Sequence, residues 1–146
     1  CDMRFGSENT KFVTAFSQRG LIAEHGQSWL LPRLVGPAKA LDLLWSSRKV
    51  GADEAKEMGL LDRILPPDEL VDSAKSYISE LAATSAPTSL MIIKQQVYRH
   101  LNMELGEAMQ ETNNLMAESL EREDFKEGVS SFLEKRPPAF APIKID

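Results

Sequence analysis

The chain has 146 residues, 27% of them charged, and a formal net charge of −5. Acidic and basic residues are interleaved, which excludes a basic face for nucleic acid or an anionic membrane surface, and no apolar run reaches the length of a membrane span. The one cysteine, Cys1, excludes an internal disulfide, so a soluble cytoplasmic protein with neither nucleic-acid nor membrane partner is expected.

Taken in order, residues 2–6 alternate polar and apolar, and Lys11-Phe12-Val13-Thr14-Ala15-Phe16 is rich in β-formers, with turn chemistry at Ser7-Glu8-Asn9-Thr10 between them. Two short strands or one hairpin-like segment are predicted. A glycine-bounded loop, Gly20 to Gly26, follows, and then an apolar helix that starts near Ser28, carries Trp29, Leu30 and Leu31, and is bounded by Pro32 and Gly36. Pro37 suits the first turn of the next helix, where its missing N–H would be unpaired anyway. Ala38, Leu41, Leu44 and Trp45 recur at helical spacing over 37–47, and this stripe is expected to face the core. Trp29 and Trp45 are expected in the core ahead of any ligand-stacking role.

A short helix over 53–58 should stop at Gly59 in a left-handed conformation, and 60–65 reads as a strand ending at Pro66-Pro67. Leu70, Ala74, Ile78 and Leu81 mark a helix over 69–83, and Pro87 opens another through Leu101. Leu105, Met109, Leu115, Met116 and Leu120 form one apolar stripe, and Phe125, Val129, Phe132 and Leu133 form a second before Pro137-Pro138. The tail after Ala139 is expected to be irregular. Helices this short gain most of their stability from packing. So many apolar faces beside so little sheet imply self-association. They also suggest a missing part of the fold, as does an opening Cys1-Asp2-Met3-Arg4-Phe5 that reads like the middle of a strand.

For chemistry, the loop offers one acid, Glu24, beside His25 and Gly26. Removing a proton α to a carbonyl needs a carboxylate or histidine in a water-poor pocket and preorganised donors for the enolate oxygen. Leu21, Ile22, Trp29 and Leu30 could line such a pocket, and His25 could orient Glu24 or simply be a surface histidine. Gly20 and Gly26 are read as backbone necessities that allow positive φ or close approach and at most shape the pocket. Lys135 and Arg136 are cations at a helix C-terminus, where the helix dipole favours them. His100 has no partner at metal-ligand spacing, so no metal site is expected. Dinucleotide, P-loop and serine-nucleophile motifs are absent from the sequence.

Several runs then fall in a recognisable order: Phe12, Arg19-Gly20-Leu21, Leu31-Pro32-Arg33-Leu34-Val35-Gly36, Ala40-Leu41-Asp42-Leu43-Leu44, Ala52-Asp53-Glu54-Ala55, Gly59-Leu60-Leu61 and Lys94. The series closes on Glu127-Gly128-Val129-Ser130-Ser131-Phe132-Leu133-Glu134-Lys135-Arg136-Pro137-Pro138. No single piece is specific. Together they resemble the C-terminal half of the crotonase, or enoyl-CoA hydratase/isomerase, superfamily.

The resemblance implies a truncated α/β spiral of the ClpP/crotonase type, mostly helical here with a few short strands. Residues 1–66 would be the remnant of the ββα spiral that carries the active-site loop, and 67–146 the helical trimerisation and lid region. It implies an acyl-CoA thioester substrate, no prosthetic group, and a homo-oligomer such as a trimer. It also implies that the oxyanion donors and the first hydratase glutamate precede Cys1. The second hydratase glutamate falls on Phe16 of the pair Ala15-Phe16, and phenylalanine cannot carry a proton. Glu24, four residues after Gly20, matches the catalytic glutamate of Δ3,Δ2-enoyl-CoA isomerases, and Lys135 matches a lysine that reaches a CoA phosphate. Gly20, Leu21, Ile22, His25, Gly26 and Trp29 would then shape the acyl pocket. The expected activity is isomerisation or hydration of an enoyl thioester by proton transfer at the α carbon. The alternatives are an inert assembly module, and another crotonase reaction such as thioester hydrolysis or decarboxylation.

Overall fold

The computed structural model describes residues 1–143. Short strands and helices alternate through the first part, and four helices follow. In chain order the elements are β1 (Phe5–Ser7), β2 (Lys11–Phe12), a 3-10 turn (Ser17–Arg19), α1 (Gln27–Val35), α2 (Pro37–Ser46), β3 (Val50–Gly51), α3 (Ala52–Glu57) and β4 (Arg63–Leu65). The longer helices α4 (Leu70–Thr84), α5 (Pro87–His100), α6 (Leu105–Leu120) and α7 (Glu123–Glu134) complete the series. The chain divides into two compact units, Cys1–Lys75 and the residues from Ser76 on.

In the first unit, of the two expected alternatives, two short strands form rather than a hairpin. β1 pairs in parallel with β4, Gly6 opposite Ile64, while β2 pairs antiparallel with β3, Phe12 opposite Val50. Local sequence carries no information about which partner a strand takes, and here each strand closes on a residue more than 35 positions away. Gly6 sits where β1 is closely covered by side chains. A Cβ there would stand 2.8 Å from Leu61 Cδ1 and 2.9 Å from Thr10 Oγ1. Strand structure ends at Phe12 rather than Phe16, since Ala15 turns to a left-handed φ of 58°. Likewise only 63–65 of the expected 60–65 strand pairs, while Leu60 and Leu61 are drawn into the core.

That core is a single cluster of Leu31 and Val35 from α1, Ala40 and Leu43 from α2, Val50, Ala52, Ala55, Met58, Leu60 and Leu61. Fully burying a large aliphatic side chain of this kind contributes about 1.5–3 kcal/mol. The face of α2 that joins it corrects the expected stripe. Ala40 and Leu43 are buried and Leu44 packs against them, but Leu41 is exposed and Trp45 is 71% exposed. At 100° per residue, Trp45 lies some 200° around the helix from Leu43, so the two cannot share a face. Trp29 stands in the same relation to Leu31, and it too is exposed.

Pro32 lies inside α1 rather than bounding it. The carbonyl that loses its partner belongs to exposed Ser28, and Gly36, at φ 79°, ends the helix with its N–H on the Pro32 carbonyl. Gly59 adopts φ 85° just after α3, as expected.

In the second unit, Pro87 begins α5 as its sequence position implies, α5 packs against α6, and α6 against α7. Ala86 is the one buried hydrophobic residue among the described residues of this unit. No helix among the described residues is long and apolar enough to cross a membrane. The expected irregular tail has no helix or strand over 139–143; its last three residues, 144–146, lie outside the described residues.

Candidate active site

The loop that carries Glu24 is anchored before it begins. The last carbonyls of an α-helix have no partner within the helix. At the end of α2, Ser17 Oγ donates to the Trp45 carbonyl (2.7 Å) and Gln18 Nε2 to that of Ser46 (3.0 Å), while Thr14 Oγ1 adds a second bond (2.8 Å) to the Leu43 carbonyl, which the Ser47 N–H also reaches. Ser17 also shares a hydrogen bond with buried Ser47, 2.9 Å away. The segment just ahead of the loop is therefore fixed to the core helix. Sequence reasoning missed these three residues. Their signal is a set of polar side chains able to donate to carbonyls at a helix end that lacks donors of its own, and it is legible only once the two segments are known to meet.

Beyond that anchor the backbone turns twice. Gly20, at φ 70°, closes the 3-10 turn with its N–H on the Ser17 carbonyl, and the Leu21 N–H returns to Phe16. Gly26, at φ 74°, caps the start of α1 directly after His25, itself left-handed at φ 53°. Both glycines thus take the conformation expected of them, which other residues adopt only with strain. The Gln27 N–H closes the turn on the Glu24 carbonyl at 3.0 Å.

Glu24 is presented at the outside of this turn, its side chain 40% exposed, with His25 Nε2 at 3.7 Å from Oε2. His25 is 84% exposed, which makes the contact a solvated one. The neighbouring apolar side chains Leu21 and Leu30 are about half exposed and Ile22 is 82% exposed, so within this chain they do not enclose the carboxylate. The Trp29 ring is covered on one face by Arg33, whose guanidinium carbon lies 3.7 Å from its centroid and whose Nη1 donates to the Trp29 carbonyl. Gly20, Leu21, Ile22, Glu24, His25, Gly26 and Trp29 thus lie along one segment, from the end of the 3-10 turn into the first turn of α1. Lys135 belongs to the second unit, where it caps α7.

Two further charge clusters stand out. Arg48 joins α2 to α3, donating to Asp42 Oδ2 (2.8 Å) and Glu54 Oε1 (2.6 Å). The bond from Arg48 holds the Glu54 carboxyl below its usual range, and the bonds to Glu54 and Asp42 raise the guanidinium further. Arg136 makes the corresponding bridge at the end of α7, and there the Arg136 guanidinium, with the Ala139 N–H, holds the Glu127 carboxyl down at about 2. Among the described residues no group of three or more His, Cys, Asp or Glu side chains is arranged to hold a metal ion.

With this geometry in view, comparison with known proteins identifies the class. The model of the enoyl-CoA hydratase/isomerase family matches residues 1–142, and the chain belongs to that family. It is 36% identical over 140 residues to a probable enoyl-CoA hydratase of Rhizobium meliloti, covering 96% of this chain and 54% of that protein. It is 35% identical over 149 residues to the 1,2-epoxyphenylacetyl-CoA isomerase of Escherichia coli, covering 95% and 53%. The crystal structure of a probable enoyl-CoA hydratase/isomerase from Mycobacterium abscessus superposes with a TM-score of 0.92 at 27% identity, over 98% of this chain and 58% of that one. The architecture is accordingly the crotonase-type α/β fold. The chain spans about half the length of the curated relatives it matches.

Proposed function

We propose that the whole protein moves a proton at the α carbon of an enoyl-CoA thioester, with Glu24 as the acid/base and a CoA phosphate held by Lys135. The observation that carries this reading is the loop itself: two left-handed glycines and an anchored approach present one carboxylate, in a chain of a family named for hydratases and isomerases. One carboxylate suffices for an allylic shift, because it can take a proton from one carbon and return it to another. Phe16, half-buried just ahead of the 3-10 turn, offers no second acid. This favours isomerisation over a two-carboxylate addition of water. Gly20, Leu21, Ile22, His25, Gly26 and Trp29 would border the acyl chain, and residues 1–66 would form the site-bearing part.

The test is Glu24→Gln, assayed on crotonyl-CoA and on a 3-enoyl-CoA. Loss of a positioned acid/base lowers the rate by about 10²–10⁴-fold. Near wild-type turnover on either substrate would remove Glu24 from the role.

A second reading, that residues from 67 on serve homo-oligomeric assembly, is favoured by the exposure of Phe132 (82%) and Leu133 (72%) on α7. Apolar faces of this kind on a helical surface mark interaction sites.

A further inference from the structure

At the end of α7 one guanidinium folds the chain back on itself. Arg136 donates Nη1 and Nη2 to the two oxygens of Glu127 at 2.6 and 2.9 Å, and Nε to Glu134 Oε2 at 2.6 Å. Its Nη1 also reaches the Pro137 carbonyl at 3.2 Å, and the Ala139 N–H adds a bond to Glu127 Oε1 at 2.7 Å. Phe140 then lies over Gly128, its ring 3.9 Å from where a Cβ would be. The residues on both sides of Lys135 are therefore pinned. Lys135 itself is left-handed (φ 55°, ψ 41°), with its N–H on the Phe132 carbonyl and the Arg136 N–H on that of Ser131.

The charges sort in a telling way. Four cations occur among the described residues from 122 on. Arg122 pairs with Glu118, Lys126 with Glu123, and Arg136 with two carboxylates at once. Lys135 makes no ion pair among the described residues and is exposed. Arg136 has four of its five N–H donors engaged by Glu127, Glu134 and Pro137 and is paired with two carboxylates, so the cation of this turn without a carboxylate partner among the described residues is the lysine. A non-glycine residue held left-handed at such a point needs its surroundings to determine it.

We propose that Glu127 is a positioning residue for Lys135: through Arg136 and the Ala139 N–H it fixes the left-handed turn that presents the Lys135 ammonium to a phosphate of CoA. This rests on the reading of Lys135 given above. Glu127 also removes the competing cation, because the carboxylate that shapes the turn occupies the arginine. With its carboxyl at about 2, Glu127 is ionised and the clasp closed at neutral pH.

The test is a double-mutant cycle on CoA affinity, measured by calorimetry on the whole protein, with pantetheine as the phosphate-free control. Lys135→Ala should weaken CoA binding by about tenfold, the size of one charge-assisted contact. Glu127→Gln, which keeps the shape and an acceptor for Ala139, should weaken it about threefold on the wild-type background and not at all on the Lys135→Ala background. Pantetheine binding should be unchanged in every variant. Arg136→Gln breaks the same clasp from the other side and should match Glu127→Gln. Independent, additive losses, disagreement between the two clasp variants, or an unaffected Glu127→Gln overturns the proposal. An unaffected Lys135→Ala, or absence of CoA binding by the wild type, overturns the Lys135 reading and this inference with it.

Discussion

The two units are built from similar helices and use them in opposite ways. From Cys1 to Lys75, helices of nine, ten and six residues contribute Leu31, Val35, Ala40, Leu43, Ala52 and Ala55 to one buried cluster, which Val50, Met58, Leu60 and Leu61 complete. From Ser76 on, α5, α6 and α7, of fourteen, sixteen and twelve residues, leave Leu105, Met109, Met116, Phe132 and Leu133 exposed. Helix length and amphipathicity therefore do not decide burial. What distinguishes the first unit is the set of strands and glycine turns that bring helix faces within packing distance, whereas in the second unit α5, α6 and α7 touch yet leave much of their apolar stripes exposed.

The largest expected effects set these faces against each other. Leu43→Ala removes a side chain that is 4% exposed, and it should cost about 2–5 kcal/mol in denaturant unfolding. Phe132→Ala should cost less than about 0.5 kcal/mol in the monomer, as for an exposed position. Phe132→Asp should instead sediment with a lower mass than the wild type at micromolar concentration. Equal costs at the two positions, or a wild type that sediments as a monomer, would break the contrast.

A second pair uses glycines. At Gly6 a Cβ meets Leu61 and Thr10 below 3.0 Å, so Gly6→Ala should destabilise by about 1–3 kcal/mol. At Gly106, in the first turn of α6, nothing lies within 4 Å, and Gly106→Ala should stabilise by about 0.5 kcal/mol through helix propensity. Thermal unfolding of both variants reads the difference in sign.

What could be seen in the sequence was local. Pro37 and Pro87 opening helices, Gly59 ending one, and the left-handed Gly20 and Gly26 follow from the chemistry of single residues. The order of motifs was enough to reach the family. What escaped was long-range or directional. β1 passes over its neighbour β2 to pair with β4, and Val50–Gly51 is too short a strand to announce itself. In α2 two apolar stripes compete, and only the packing partner selects Ala40 and Leu43 over Leu41 and Trp45. The clasp of Glu127 on Arg136 spans nine residues across a helix end, a spacing that no helical periodicity marks.

The smallest effect compares the two arginine clusters through pH. Arg48 and Arg136 each bind two carboxylates at the surface, where ion pairs contribute little. Glu54 and Glu127 both have folded pKa values below their unfolded ones, Glu127 at about 2. Such a group binds more protons unfolded than folded as the pH falls. Its contribution is therefore present above the unfolded carboxylate pKa of about 4.5 and is lost progressively as the pH drops toward the folded value. Glu127→Gln should lower the melting temperature slightly at pH 6 and by a shrinking margin between pH 4.5 and pH 2. Glu54→Gln should show the same sign, with the loss felt by the well-packed first unit. A margin that grows on acidification, for either variant, would mean that the carboxylate is destabilising in the folded chain and that its arginine is held by something else.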